Sequence, residues 1–324
     1  MSTAAAIEVS NLGKAYDAVE AVKNLSLTVQ HGEIFGLLGP NGAGKSTTLR
    51  ILITTLSPTT GTATILGHDV VKEADTVRRL IGYVAQERAI DRFLTGREHL
   101  LLFAELYHIP KQEALSRIAA LLKLVNLEDD ADRVAKGYSG GMKRKLDIAC
   151  GLLPNPKILF LDEPTLGLDV QSRLNIWEHI RKLQQQGITI VITTNYLDEA
   201  DQLCDRIAII DRGEIRAMGS PKDLKASLGG DGIWLTLSDA TPKALEQLTT
   251  ALEGLPFVRG IRPRENGLDI RVDGPEKALP AIMETTHKVG CLLDGIEYHR
   301  PRLDDVFVAH TGRSLTNEPA PPEA

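Results

Sequence analysis

The sequence predicts an α/β protein built on a mostly parallel sheet and followed by a second, smaller α+β unit. Between Ile7 and about Pro221, short β-rich runs alternate with longer helical stretches, the pattern of a parallel sheet with helical crossovers. The runs "GEIFGLLG", "KILFLD" and "ITIVITT" are almost wholly apolar, as strands buried on both faces are, and ligands gather where such strands end. Beyond Gly229, Gly230 and Gly232 a fresh strand begins, and glycines placed directly after a helical stretch mark a boundary.

At 324 residues the chain is long enough for two domains, here read as 1–228 and 229–312 with a tail at 313–324. A net charge of -6 speaks against a surface that tracks nucleic acid, since such binding rests on Lys and Arg neutralising phosphates. No nucleic acid partner is therefore expected. Cys150, Cys204 and Cys291 are far apart and form no CxxC pair, which points to small buried residues in a reducing cytoplasm. The start "MSTAAAIEVSNLGKAY" lacks the pattern of a signal peptide, and no apolar run approaches the length of a membrane span. Work at a membrane would need spanning helices from another polypeptide.

Along the chain, the first strand that carries chemistry is "GEIFGLLG", because "GPNGAGKST" follows it and a helical run follows that. Gly39, Pro40, Asn41, Gly42, Ala43, Gly44, Lys45, Ser46 and Thr47 fit the phosphate-binding loop G-x-x-x-x-G-K-[ST]. Glycines let the backbone N–H groups turn inward on phosphates, Lys45 reaches the β and γ phosphates, and Ser46 can ligate magnesium. "REHLLLFAELYHI" and "EALSRIAALLKLV" then have helical periodicity with no strand between them, a helical insert within a subdomain at about 88–150. In "YSGGMKRKLDIACGLL", Ser139, Gly140 and Gly141 run into an amphipathic helix and make a second anion site. One nucleotide does not need two such sites on one chain, and a head-to-tail homodimer resolves this, each subunit closing the other's nucleotide. The basic run Lys143, Arg144 and Lys145 reads as a solvated helix face, with tuning of the interface potential as the alternative.

"KILFLDEP" ends a buried strand in two carboxylates: Asp162, suited to hold magnesium through its water shell, and Glu163, suited to orient and polarise an attacking water. After the glycine boundary, strands near "IWLTL", "FVRGIRP", "LDIRVD" and "LLDGIEYH" interleave with two helices in the order β-α-β-β-α-β, which predicts a ferredoxin-like sandwich. The closing "TNEPAPPEA" is Pro-rich and acidic and reads as disordered.

With these motifs in this order, the segment from Ile7 to about Pro221 closely resembles the nucleotide-binding subunits of ATP-binding cassette (ABC) transporters. "YSGGMKRKLDIA" and "RPRLDDVFVAHTG" are similar to the daunorubicin-resistance, ABC-2 type exporter branch. The resemblance implies a P-loop NTPase cassette that hydrolyses ATP with Mg2+, pairs as a nucleotide-sandwich homodimer, and powers export through a separate transmembrane permease at the cytoplasmic face of the cell membrane. It further implies that Tyr16 stacks on adenine, that Gln86 senses magnesium and the γ-phosphate, and that Asp169 crosses the dimer interface. Met142 stands where the general signature has glutamine. Two other functions fit the same motifs: a regulatory switch that binds ATP with little turnover, and a soluble ABC protein acting on DNA or the ribosome. The second usually carries two cassettes or a long coiled coil, neither of which this sequence has.

One residue departs from the resemblance. In "TTNYLDEA" the strand "ITIVITT" ends at Asn195, where the family has a histidine that contacts the γ-phosphate, and none of the eight histidines lies nearby in sequence. An amide donates a hydrogen bond but is shorter than imidazole and carries no proton. Losing one charge-assisted hydrogen bond costs roughly 1.5–3 kcal/mol, about a ten- to hundredfold slower reaction if the bond acts in the transition state. Asn195→His is therefore expected to raise ATP turnover by at least several-fold with ATP affinity nearly unchanged, measured as steady-state phosphate release.

Overall fold

The computed structural model describes residues 5–315 except 18, 88–89, 229, 239–240 and 265. It divides into two compact units, Met1–Pro221 and Lys222–Ala324, seven residues before the 228/229 boundary read from the glycines. Gly229 and the acidic tail from residue 316 onward lie outside the described residues.

The first unit opens with β1 (Ile7–Tyr16), β2 (Val19–Val29), β3 (Ile34–Leu38), α1 (Lys45–Leu52), β4 (Thr60–Ile65), β5 (His68–Asp69), α2 (Ala74–Leu80) and β6 (Ile81–Val84). Helices α3 (Gly96–Leu106), α4 (Lys111–Leu124) and α5 (Gly140–Leu152) follow, with no named strand between β6 and β7 (Ile158–Asp162) among the described residues. The unit closes with α6 (Val170–Gln185), β8 (Thr189–Thr194), α7 (Leu197–Leu203), β9 (Arg206–Asp211) and β10 (Glu214–Gly219).

The central sheet has the order β10-β9-β3-β8-β7-β6. Only the β10–β9 pair is antiparallel; β9, β3, β8, β7 and β6 all run the same way. The fully buried patterns of β3, β7 and β8 match their apolar sequences. Phe35, Leu37, Ile158, Phe160, Val191, Ala208 and Ile210 join Leu49, Ile51 and Leu52 of α1 in one core that also takes in β1, β2 and β4. The alternate strand residues, among them Leu159, Leu161, Ile190 and Ile192, are buried as well, as period two requires of a sheet covered on both sides.

The sequence reading did not anticipate the second sheet, β2-β1-β4-β5, which is antiparallel throughout. Its strands alternate buried and exposed residues, Ile7 and Val9 inward and Glu8 and Ser10 outward, so their apolar signal is half that of the central strands. The helical insert has its own core of Leu100, Ala104, Ile118, Leu122, Leu146 and Ala149. A capping box starts α3, with Thr95 accepting from the Glu98 N–H while Glu98 accepts from the Thr95 N–H.

The second unit contains α8 (Pro221–Ala226), which spans the division, then β11 (Asp231–Leu237), α9 (Pro242–Glu253), β12 (Val258–Arg264), β13 (Gly267–Val272), α10 (Pro275–Val289), β14 (Leu293–His299) and α11 (Leu303–Thr311). Its strands pair antiparallel in the order β12-β13-β11-β14, so the β-α-β-β-α-β order forms one sheet. Ile233, Leu235, Leu268, Ile270 and Val272 share a core with Leu248 and Leu252 of α9 and with Ala278 and Ile282 of α10. Cys150 and Cys204 are buried as expected, whereas Cys291 is only half-buried. No helix of the described residues is long and apolar enough to cross a membrane.

Phe160 lies at the centre of the first unit's core with no exposure. Phe160→Ala is expected to destabilise that unit by about 3–5 kcal/mol, read as a lower urea midpoint with the same slope.

Candidate active site

The site forms where four adjacent parallel strands end. The register pairs Leu38 of β3 with Thr194 of β8, Thr193 of β8 with Asp162 of β7, and Leu161 of β7 with Val84 of β6. Strands that run the same way end on one edge, so Gly39, Asn195, Glu163 and Gln86 follow them in sequence along that edge. The Gly39 N–H donates to the Thr194 carbonyl at 3.3 Å, tying the start of the loop to the residue before Asn195.

The loop from Gly39 to Gly44 needs glycine at both ends. A Cβ on Gly39 would meet the Ile210 carbonyl oxygen at 2.2 Å, and Gly44 combines φ +106° with the Ala21 carbonyl oxygen only 2.6 Å from where a Cβ would sit. Gly44 caps α1, whose first N–H groups, having no partner within the helix, face the loop. A cavity of about 250 Å³ lies there, lined by Ala21, Pro40, Asn41, Gly42, Ala43, Gly44, Lys45, Ser46, Thr47, Gln86 and Glu163. It is an anion cradle built from backbone donors.

Lys45 is 4 % exposed, and its Nζ donates to the Gly39 carbonyl at 2.6 Å and the Pro40 carbonyl at 3.0 Å. It stands 4.0 Å from Glu163 Oε1. The other oxygen, Oε2, accepts from Gln86 Nε2 at 3.2 Å. Burial pushes the Glu163 carboxyl above the usual carboxylate range; the Lys45 ammonium opposes this, while the charges of Asp162 and Glu199 reinforce it. Its backbone is left-handed, with φ +43°, and its N–H donates to both the carbonyl (3.1 Å) and the hydroxyl (3.0 Å) of Thr193. The Thr193 hydroxyl in turn donates to Asp162 Oδ1. Asp162 and Ser46 offer oxygen atoms, the donor type that suits magnesium, which takes one or two protein ligands and completes its shell with water and phosphate.

Other expected residues sit elsewhere. Ser139 is exposed and caps α5, accepting from the Met142 N–H at 3.2 Å; with Gly140 and Gly141 it does not line the cavity. A Cβ on Gly141 would meet Ser172 Oγ at 2.9 Å, and Ser172 donates to the Asp169 carboxylate through its N–H (2.9 Å) and hydroxyl (2.7 Å). These bonds hold the exposed Asp169 carboxyl below the usual range. Tyr16 is not brought to the cavity: its ring is 43 % exposed, with Lys14 Nζ 5.3 Å from the centroid. Asn195 does not line the cavity either, and its Oδ1 is buried with no hydrogen-bond partner among the described residues.

The structure adds residues the sequence reading missed. Thr193 joins the two carboxylate residues, and Glu199, fully buried, accepts from Thr165 Oγ1 at 2.7 Å and Trp177 Nε1 at 3.0 Å. Arg144 corrects the reading of "KRK" as a solvated face, since it is 2 % exposed and donates to three backbone carbonyls. Its spacing from Gly141 and Ile148, both buried, was the available signal: positions i, i+3 and i+7 share one helix face.

A family model described as ABC transporter matches residues 22–166. The chain is 44% identical over 308 residues to the daunorubicin/doxorubicin resistance ATP-binding protein DrrA of Streptomyces peucetius, covering 95% of this chain and 92% of that protein. Among solved structures, cbiO1 from Clostridium perfringens, part of the ABC transporter complex cbiONQ, aligns with a TM-score of 0.65 at 29% identity, covering 69% of this chain and 92% of that one. A dimeric post-hydrolysis state of an ATP-binding cassette bound to ADP and Pi aligns with a TM-score of 0.59 at 29% identity, covering 66% of this chain and 98% of that one. With this likeness held over nearly its whole length, the chain belongs to the ABC transporter family, where it is an ATP-binding subunit similar to the daunorubicin-resistance proteins.

Proposed function

We propose that this subunit binds and hydrolyses ATP in a head-to-tail homodimer and thereby powers export through a separate membrane permease. The observation that carries this reading is the convergence of Lys45, Gln86 and Glu163 on one cavity, while Ser139 stands exposed away from it. The loop N–H groups and Lys45 hold the β and γ phosphates, and Ser139 with the Gly140 and Gly141 N–H groups closes the partner's nucleotide. Glu163, its carboxyl raised by burial, orients the attacking water and takes its proton as the water oxygen bonds to the γ-phosphorus and the bond from that phosphorus to the β-phosphate oxygen breaks, releasing ADP and phosphate. Gln86 fixes the Glu163 carboxylate from the other side.

Ser46 and Asp162 would hold Mg2+, which neutralises charge on the phosphates when bound. Tyr16 serves the adenine and Asp169 the dimer interface. Asn195 leaves a weaker contact to the γ-phosphate than histidine would, giving a slowed ATPase. The subunit works at the cytoplasmic face of the cell membrane, the permease selects the substrate, and the second unit is an accessory domain.

A reading in which ATP binding switches shape with little turnover draws on the same Asn195, whose buried Oδ1 has no partner among the described residues. Single-turnover hydrolysis separates the two. Glu163→Gln is expected to slow hydrolysis about 10²- to 10⁴-fold while ATP still binds, whereas equal rates in the two proteins would favour the switch.

In the Glu163→Gln background, ATP is expected to convert monomer to dimer in light-scattering chromatography. Adding Ser139→Arg should abolish that dimer and leave ATP binding to the monomer intact. Chelating Mg2+ with EDTA should stop hydrolysis in the unmodified protein, with activity restored by excess Mg2+.

A further inference from the structure

Arg144 lies one turn into the helix that Ser139 caps, and its side chain is 3% exposed. Its Nε donates to the Pro164 carbonyl at 2.8 Å, Nη2 to the Asp162 carbonyl at 2.8 Å, and Nη1 to the Ala85 carbonyl at 2.7 Å. The first two carbonyls flank Glu163, and the third immediately precedes Gln86. One guanidinium therefore grips the chain on both sides of one residue of the site and directly before the other.

Glu163 needs such a grip. Its left-handed backbone is a conformation that side-chain-bearing residues keep only when the surroundings over-determine it. Thr193 holds the Glu163 N–H, and the Leu166 N–H donates to the Glu163 carbonyl at 3.2 Å, which leaves the carbonyls on either side, those of Asp162 and Pro164, to be fixed as well. Arg144 supplies that constraint, and through Ala85 it sets the backbone from which Gln86 reaches Glu163 Oε2.

We propose that Arg144 is a positioning residue for hydrolysis, one that holds the strained Glu163 backbone and the Gln86 segment in the register their hydrogen bond requires. This rests on the reading of Glu163 as the residue that orients the attacking water. The guanidinium is planar, with donors fixed in a fork, and can meet three carbonyls on two separate chain segments at once. Lysine keeps the charge but concentrates its donors at one point, so it cannot reproduce the grip. Release of the grip lets Glu163 relax out of its left-handed conformation and carries its carboxylate away from Gln86, while the phosphate loop, to which none of the three gripped carbonyls belongs, stays formed.

The test uses the full chain with Arg144→Lys, Arg144→Gln, Glu163→Gln and the double variant Arg144→Lys/Glu163→Gln. Steady-state phosphate release gives kcat and KM, and a fluorescent ATP analogue gives affinity and the number of binding sites. Each Arg144 variant is expected to lower kcat about ten- to a hundredfold, with KM and analogue affinity within about threefold of the parent. The double variant should be no slower than Glu163→Gln alone, because Arg144 acts through Glu163.

An unchanged kcat in Arg144→Lys overturns the proposal. So does a further loss in the double variant, or a loss of binding sites in proportion to kcat, which marks plain support of the fold. Should Arg144→Gln fail to fold, Arg144→Lys decides alone, and failure of both, seen as lost analogue binding, also overturns it. A Glu163→Gln protein that hydrolyses as fast as the parent would instead remove the reading of Glu163 on which the proposal rests.

Discussion

The site depends on one constraint, the shared register of β3, β8, β7 and β6. Leu38 opposite Thr194, and Asp162 opposite Thr193, bring the start of the phosphate loop, Asn195 and the two carboxylates to one edge. A slip of one residue would turn every side chain of a strand to the opposite face. The Thr193 hydroxyl would then leave Asp162, and the Glu163 N–H would lose both of its acceptors. The register is enforced by apolar packing on both faces of these strands, so the large core and the small polar site are one arrangement.

Within that frame, ionisable groups are buried where water cannot stabilise them. Lys45, Asp162 and Glu163 are each less than a tenth exposed. Burying charge is costly unless it is paired and hydrogen-bonded, and each of the three is: Lys45 to two loop carbonyls, Asp162 to Thr193, Glu163 to Gln86. The consequence is a preorganised site in which the Glu163 carboxylate, the proposed proton acceptor, is held at a raised affinity for a proton.

A second feature is the separation of the two helix starts that are proposed to bind anions. The N-terminus of α1 faces the cavity, while that of α5 is exposed and packed beside Ser172, which holds the Asp169 carboxylate. Gly141, two residues after Ser139, and Asp169 thus share Ser172 as a neighbour. In the proposed dimer, both would meet the partner as a unit.

The sequence by itself determined the parallel-strand core, the phosphate loop, the two carboxylates and the β-α-β-β-α-β order of the second unit. These signals are local: glycine spacing, continuous apolar runs and turn residues can be read without knowing what lies across the sheet. The antiparallel sheet escaped because alternating strands such as β1 carry a weaker pattern than strands buried on both faces. Asn195 was legible as a departure from a family pattern, but that its Oδ1 is buried was not. Only the tertiary structure decided that Thr193 bridges Asp162 and Glu163, that Tyr16 stands off the cavity, and that Arg144 faces inward. The hydrogen-bond partners of Thr193 and Arg144 lie 18 to 59 residues away in sequence, and partners brought together by strand register and helix packing leave no local trace. A buried arginine between two lysines has the composition of a solvated face; what separates it is which side of α5 meets the ends of β6 and β7.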